Sequence, residues 1–176
     1  ICRELGLEPM IWSDMYLRMV SPASEYYDVP LDSDLSDAVK PPQEIGLVYW
    51  DYYHDDENFY KSYLRMHRQL SEKTVFAGGG WVWNGVAPNF RVAFATTEAA
   101  MRACKAEGVR EAVCTMWQDD GAETPMAAGL PSIVLFAEHG FSREPDRECL
   151  KEQFEFLTGS SFDAVSYTHL RAHETL

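Results

Sequence analysis

The stretch Val75-Phe76-Ala77-Gly78-Gly79-Gly80-Trp81-Val82-Trp83-Asn84 is a short apolar run that leads through three glycines into two tryptophans. Apolar runs within residues 9–14, 46–53 and 111–120 also end in a tryptophan beside acidic, amide or tyrosine side chains. These four sites lie roughly 30–40 residues apart, the length of one strand, one helix and two loops. The spacing therefore predicts an α/β protein with about four (β/α) units and a parallel sheet.

The chain is too short for a whole barrel of such units. A complete eight-stranded (β/α)8 barrel needs about 250 residues, whereas this chain has 176. We therefore expect the C-terminal half of a TIM barrel, strands five to eight, within residues 1–128. Residues 1–7 have the pattern of a helix end and no initiator Met precedes them, so we expect the beginning of the protein to be missing. The helical pattern of residues 129–164 predicts the start of a helical extension.

Local patterns place the individual elements. Strands are expected at about residues 8–13, 45–50, 74–77 and 112–116. Helices are expected near residues 31–39, from Asp55 or Asp56 to Leu70, from Thr96 or Thr97 to about residue 105, from Pro131 to Gly140, and from about residue 146 to 157. The loop of residues 21–43 carries four prolines and follows the first strand, on the face where barrel enzymes place their sites.

Composition argues against several classes of partner. The formal net charge is −13, from 15 basic and 28 acidic residues, which disfavours binding to nucleic acid. There is no apolar run of about 20 residues that could span a bilayer, so no membrane partner is expected. The four cysteines lie far apart and predict buried, reduced thiols, with neither a zinc site nor a disulfide framework. We therefore expect a cytoplasmic protein without a metal or other cofactor.

The C-terminal end needs separate treatment. Residues 165–176 are similar to a translated sequencing-library adaptor, so we expect them to be a non-native tail and exclude them from the fold. His169 and His173, which lie in this tail, are therefore not taken as a metal-binding pair.

Four motifs in order resemble the family 20 glycoside hydrolases, the β-N-acetylhexosaminidases. They are residues 10–15, residues 48–54, residues 76–85 and residues 115–123. The resemblance covers residues 1 to about 164. It implies hydrolysis of terminal N-acetylglucosamine or N-acetylgalactosamine from glycans, with the acetamido oxygen of the sugar as the nucleophile.

In that family an Asp-Glu pair after the fourth strand stabilises the acetamido group and protonates the leaving oxygen. The resemblance places this pair upstream of Ile1. We therefore expect this chain to contain no catalytic acid and to be inactive by itself, and Asp56-Glu57 to cap a helix rather than replace the pair.

The resemblance also assigns the wall of a sugar pocket to this chain. It implies that Trp12, Trp50 and Trp117 form the aromatic lining of the pocket, with packing in the protein core as the alternative for each. It also implies that Asp119, with Asp120 beside it, accepts hydrogen bonds from the outer hydroxyls of the sugar. Tyr52 and Tyr53 are candidates to orient the acetamido group, with Tyr53 preferred. Larger family members carry Tyr-x-Asp where this chain has Trp81, Trp83 and Asn84, so these three become substrate-binding candidates by position.

Two other functions remain open. The first is a barrel glycosidase with a protein nucleophile, in which Asp119 or Glu123 would take a direct part. The second is a catalytically inactive carbohydrate-binding barrel. Aromatic rings beside carboxylates are consistent with all three hypotheses, because the C–H face of a sugar stacks on a ring while its hydroxyls need acceptors.

Overall fold

The computed structural model describes residues 1–118 and 123–166. Its four strands are β1 (Met10–Trp12), β2 (Gly46–Trp50), β3 (Thr74–Gly79) and β4 (Ala112–Thr115). The helices are α1 (Asp14–Val20), α2 (Glu57–Leu70), α3 (Phe90–Ala106), α4 (Leu130–Phe141) and α5 (Arg147–Thr158), with short 3-10 helices at Arg3–Leu5 and Met126–Gly129. The strands form one parallel sheet in the order β1-β2-β3-β4, which confirms the predicted α/β class.

The chain forms two compact units that interleave along the sequence. Unit 1 consists of Ile1–Asp51, Asp56–Ala77 and Ala103–Val113. Unit 2 consists of Tyr52–Asp55, Gly78–Arg102 and the described residues from Cys114 onward. The last residues of β3 and β4 therefore belong to unit 2, although both strands begin in unit 1.

Unit 1 is organised by the parallel pairing of its strands. Trp12 of β1 pairs with Val48 of β2, and Trp50 of β2 pairs with Ala77 of β3. Helix α2 buries one face, whose residues recur at three- and four-residue spacing. These buried α2 residues include Tyr60, Tyr63, Leu64, Met66, His67 and Leu70. Asp56 begins the helix as expected, because its carboxylate accepts the Asn58 backbone N–H at 2.8 Å.

Unit 2 contains a helical core. Val134 and Leu135 of α4 pack with Leu150 and Phe154 of α5. Phe162 belongs to the same cluster. Helix α5 has the predicted ends: the Asp146 side chain caps its first turn, and Gly159 closes it in the left-handed conformation, with φ +69°. Pro131 lies in the first turn of α4, also as predicted.

The prediction of a helix near residues 31–39 is wrong, because these residues form turns and irregular backbone. Some of their backbone N–H groups bond to side chains, and others close single turns, as between the Ala38 N–H and the Leu35 carbonyl. The Asp32 N–H donates to Ser62 Oγ at 2.6 Å, and the Leu35 N–H donates to Gln69 Oε1 at 2.7 Å. The loop is thus held against α2 by side-chain acceptors, which compete with helix formation.

Two other helix ends differ from the prediction. Thr96 and Thr97 lie buried inside α3, which begins at Phe90, and Asn89 Oδ1 accepts the Val92 N–H at 3.2 Å in the first turn. Helix α4 continues through Gly140 to Phe141, because its last hydrogen bond runs from the Ser142 N–H to the Glu138 carbonyl at 2.8 Å. The earlier start of α3 adds Phe90 and Ala93 to its buried face, whereas the last two residues of α4, Gly140 and Phe141, are exposed.

The N-terminal segment and the cysteines differ in part from the predictions. Of residues 1–7, only Arg3–Leu5 are helical, as a 3-10 turn that buries none of its residues. Of the four cysteines only Cys104 is buried, and Cys2 is exposed. In the part of the chain that the structure describes, no helix has the length and apolar character needed to cross a membrane. Residues 167–176 lie outside the described residues.

Candidate functional site

Unit 2 brings together five of the predicted substrate-binding residues. Tyr52 and Tyr53 follow β2, Trp81 and Trp83 follow β3, and Trp117 follows β4. Each of these side chains therefore comes from the carboxyl end of a parallel strand, which is the end that carries the site in (β/α) proteins. We call these five residues the aromatic cluster.

Hydrogen bonds and ring contacts join the aromatic cluster. The indole N–H of Trp117 donates to the Tyr52 hydroxyl at 2.9 Å, and that of Trp81 donates to the Tyr52 carbonyl at 2.6 Å. The Trp81 and Trp83 rings lie 5.0 Å apart, and Tyr53 meets Trp81 edge to face at 5.7 Å. The indole N–H groups thus fix ring orientations that stacking alone would leave free.

Gly79, the last residue of β3, makes room for these rings. A Cβ atom on Gly79 would lie 2.5 Å from Cη2 of Trp83 and 2.8 Å from Cδ1 of Tyr52. Trp81 itself adopts φ +52°, a left-handed conformation that is costly for a bulky residue. A glycine at position 79 is therefore required for the approach of Trp83 and Tyr52.

The cluster divides into a buried base and an exposed surface. Tyr52, Trp81 and Trp83 are buried, whereas Tyr53 is 54% exposed and Trp117 is 38% exposed. The two partly exposed rings can stack on the C–H face of a sugar, while the buried rings hold them in place. Trp81 and Trp83 are thus packing residues in this structure rather than open lining, and Asn84 is exposed in the following turn.

Unit 1 holds the other two tryptophans. The indole N–H of Trp50 donates to Asp14 Oδ1 at 3.4 Å, and the Tyr27 hydroxyl donates to the Trp50 carbonyl at 3.0 Å. The Tyr26 ring lies 4.9 Å from that of Trp50. Trp12 is 41% exposed on β1. Sequence reasoning missed Tyr26 and Tyr27, whose one signal was their position in the long loop after the first strand.

A buried carboxylate follows Trp50. Asp51 is almost fully buried and accepts the Tyr49 hydroxyl at 3.0 Å. Burial, and secondarily the charge of Asp51, raise the pKa of Tyr49 well above its usual range, so this phenol stays protonated and donates. Asp14 and Asp51 thus orient neighbouring side chains through hydrogen bonds to the Trp50 indole and the Tyr49 hydroxyl.

The predicted sugar site also includes acidic residues after β4. Asp119 and Asp120 lie outside the described residues. Trp50 belongs to unit 1 and Trp117 to unit 2, so their convergence with Asp119 on one sugar stays a prediction. Glu123 is exposed. Within residues 1–118 and 123–166, no three His, Cys, Asp or Glu side chains are grouped so that they could hold a metal ion.

Comparison with known proteins adds no family assignment: no protein-family model and no curated protein matches this chain.

Proposed function

We propose that this chain is the C-terminal half of the TIM barrel of an exo-β-N-acetylhexosaminidase. The parent enzyme would remove terminal N-acetylglucosamine or N-acetylgalactosamine with the substrate's own acetamido group as nucleophile. The proposal rests on the resemblance of four motifs in order. It is supported by a parallel sheet whose successive strands β1 to β4 are neighbours, the order that a (β/α) barrel requires.

The observation that carries the proposal is the hydrogen bond from the Trp117 indole to the Tyr52 hydroxyl. It joins the segments after β2 and β4, and Trp117 remains 38% exposed while Tyr53 is 54% exposed. A fixed, partly exposed aromatic surface suits the apolar face of a pyranose, since it is already ordered before the sugar binds.

The same geometry sharpens the choice of tyrosine. The Tyr52 hydroxyl already accepts the Trp117 indole N–H, and Tyr52 is buried. Tyr53 is the more accessible of the two, so we assign to Tyr53 the hydrogen bond that orients the acetamido carbonyl. The acid that protonates the leaving oxygen would come from the Asp-Glu pair outside this chain, and general acid catalysis alone contributes about 10²–10⁴-fold in rate.

The decisive experiment uses the complete reading frame. We expect it to contain Asp-Glu after the fourth strand, to hydrolyse an aryl N-acetylglucosaminide and to be inhibited by a thiazoline that mimics the oxazolinium intermediate. Hydrolysis that a thiazoline does not inhibit would favour the glycosidase with a protein nucleophile. Absence of the Asp-Glu pair together with sugar binding would favour the inactive carbohydrate-binding barrel.

A second experiment uses this 176-residue chain. N-acetylglucosamine is titrated while the indole resonances are followed by NMR, and we expect the Trp117 resonance to shift. Tyr53→Ala and Trp117→Ala should each weaken binding at least tenfold. Phe156→Ala is the matched control, because Phe156 is an almost fully exposed aromatic residue on α5 of the same unit. Equal losses in all three variants would contradict the assignment.

A further inference from the structure

A closed ring of hydrogen bonds lies buried in unit 1 around His67, a residue to which sequence reasoning gave no function. His67 Nε2 lies 2.8 Å from Ser13 Oγ, and His67 Nδ1 lies 2.6 Å from the Tyr63 carbonyl oxygen. Ser13 Oγ lies 3.0 Å from the Tyr26 hydroxyl, and the Tyr63 hydroxyl donates to the Tyr26 carbonyl at 3.2 Å. All four residues are buried.

The positions of the protons follow from the acceptors. The Tyr63 carbonyl can only accept, so His67 Nδ1 carries the proton and Nε2 is the acceptor. The one hydroxyl proton of Ser13 lies within reach of two acceptors, His67 Nε2 and the Val48 carbonyl at 2.9 Å, and the Ser13 oxygen accepts from the Tyr26 hydroxyl. The Val48 carbonyl already receives the Ser13 backbone N–H at 3.1 Å, so His67 Nε2 is the acceptor that depends on this proton.

Burial favours this arrangement because it keeps the imidazole neutral. Desolvation lowers the pKa of His67 to about 4, so Nε2 is free of a proton at neutral pH and can accept from Ser13. The Tyr49 ring covers the imidazole at 4.6 Å, and burial raises the pKa of Tyr26 and Tyr63 as well. The ring thus consists of neutral groups with fixed donor and acceptor roles.

The hydrogen-bonded ring reaches Trp50 by two routes. Tyr26, which donates to Ser13, lies with its ring 4.9 Å from the indole of Trp50. Asp14, the residue after Ser13, accepts the Trp50 indole N–H at 3.4 Å. Ser13 therefore stands at the point where the end of β1, the helix α2 and the loop that carries Tyr26 meet.

We propose that Ser13 is a positioning residue which, held by His67, keeps Tyr26 against Trp50 and so fixes the orientation of the Trp50 indole. Its significance for sugar binding rests on the proposed function, because there Trp50 lines the pocket. The positioning itself is a property of unit 1 and can be measured without any sugar.

The test measures the contact between Tyr26 and Trp50 in the 176-residue chain. The Trp50 indole resonance is assigned with Trp50→Phe, and the nuclear Overhauser effect between the Trp50 and Tyr26 rings is recorded. Ser13→Ala should reduce this effect at least twofold. His67→Leu, which removes the acceptor, should also reduce it, whereas His67→Gln, which can still accept from Ser13, should retain most of it.

Ser62→Ala is the matched control. Ser62 is a buried serine of α2 whose hydroxyl accepts the Asp32 N–H, so this variant loosens the same loop without touching the hydrogen-bonded ring. An unchanged contact in Ser13→Ala, or an equal loss in Ser62→Ala, would overturn the proposal. If His67→Leu does not fold, the comparison of the Tyr26–Trp50 contact in Ser13→Ala and Ser62→Ala still tests the proposal.

A sugar titration of the same variants separates the two proposals. Weaker binding of N-acetylglucosamine in Ser13→Ala than in Ser62→Ala supports the positioning role at a sugar site. The two proposals can also fail separately. If Ser13→Ala loses the Tyr26–Trp50 contact but neither this chain nor the full reading frame binds an N-acetylhexosamine, the positioning role is supported and the proposed function is overturned.

Discussion

The two units hold their tryptophans by different means. In unit 1, Trp50 is flanked by Tyr26, whose position depends on the polar ring of Ser13, His67 and Tyr63. In unit 2, Trp83 packs so closely against the backbone at Gly79 that a side chain there would clash with it, and ring contacts and indole N–H bonds join the aromatic cluster. Unit 1 should therefore respond to changes in hydrogen bonding and protonation, and unit 2 to changes in side-chain volume.

The largest expected effect is that of Gly79→Ala. The new methyl group would meet two buried aromatic rings at less than 3 Å, and overpacking of this kind costs about 3 kcal/mol of stability or more. Gly46→Ala is the control from unit 1, since its Cβ would meet Met10 Cγ at 3.1 Å and that side chain is flexible. The measurement is urea unfolding followed by 19F NMR of 5-fluorotryptophan, which resolves the tryptophans of each unit.

The Trp83 resonance should lose its native position at lower urea in Gly79→Ala, whereas Gly46→Ala should change the unfolding midpoint little. Equal midpoints for the two variants would show that volume does not distinguish the units.

The second expected effect is acid destabilisation of unit 1 through His67. Its pKa is about 4 in the folded chain and 6.5 in the unfolded chain, so the unfolded state binds more protons between these values. The contribution is fully present above about pH 6.5 and is lost as the pH falls towards 4, by about 3 kcal/mol in total. Below about pH 4 both states are protonated and this contribution stays constant.

His67→Gln is the reference for that measurement because carboxylates titrate in both proteins. The stability difference between the two proteins, followed by the Trp50 resonance at several pH values, should change between pH 6.5 and 4 and be flat elsewhere. A stability difference that does not vary with pH would contradict the prediction that protonation of His67 destabilises unit 1.

A smaller effect is expected for the bond between Trp117 and Tyr52. A double-mutant cycle with Trp117→Phe and Tyr52→Phe should give a coupling energy of about 1 kcal/mol, the net value of one partly buried hydrogen bond. The cycle is measured by urea unfolding. A coupling energy near zero would mean that unit 2 depends on ring packing alone.

The smallest effect compares the helix caps of the two units. Asp146 accepts two backbone N–H groups at the start of α5, and Asp56 accepts one at the start of α2. Asp146→Ala should therefore cost about 1 kcal/mol and Asp56→Ala roughly half of that. Thermal unfolding measures these losses, and Asp37→Ala is the control because it also removes an exposed carboxylate. Equal losses for both caps would contradict the dependence on bond number.

Much of the fold could be read from local signals. Asp56 and Asp146 combine a capping carboxylate with an apolar periodicity that begins one turn later, and Gly159 follows the last periodic residue. The start of α3 was misplaced because Thr96 and Thr97 are equally good caps by residue type. Only the buried contacts of Phe90 and Ala93 show that the helix begins earlier.

The candidate site divides in the same way. The regular spacing of apolar runs drew attention to the segments that carry Trp81, Trp83 and Trp117, and the family resemblance proposed site roles for them and for Tyr52. Tyr26, Ser13 and His67 were not singled out as a group, because their bonds join residues far apart in the chain and no sequence periodicity records such pairs.

Local periodicity and turn chemistry were enough to predict the parallel α/β class, the order of the four strands, the presence of helices α2 to α5 and the segments that carry aromatic side chains. They did not predict α1 and placed a helix wrongly near residues 31–39. Tertiary structure alone decided that Trp81 and Trp83 are buried while Tyr53 and Trp117 stay partly exposed. It also decided that His67 is an acceptor for Ser13. Burial and proton sharing are properties of neighbours in space, so they arise only when the chain is folded.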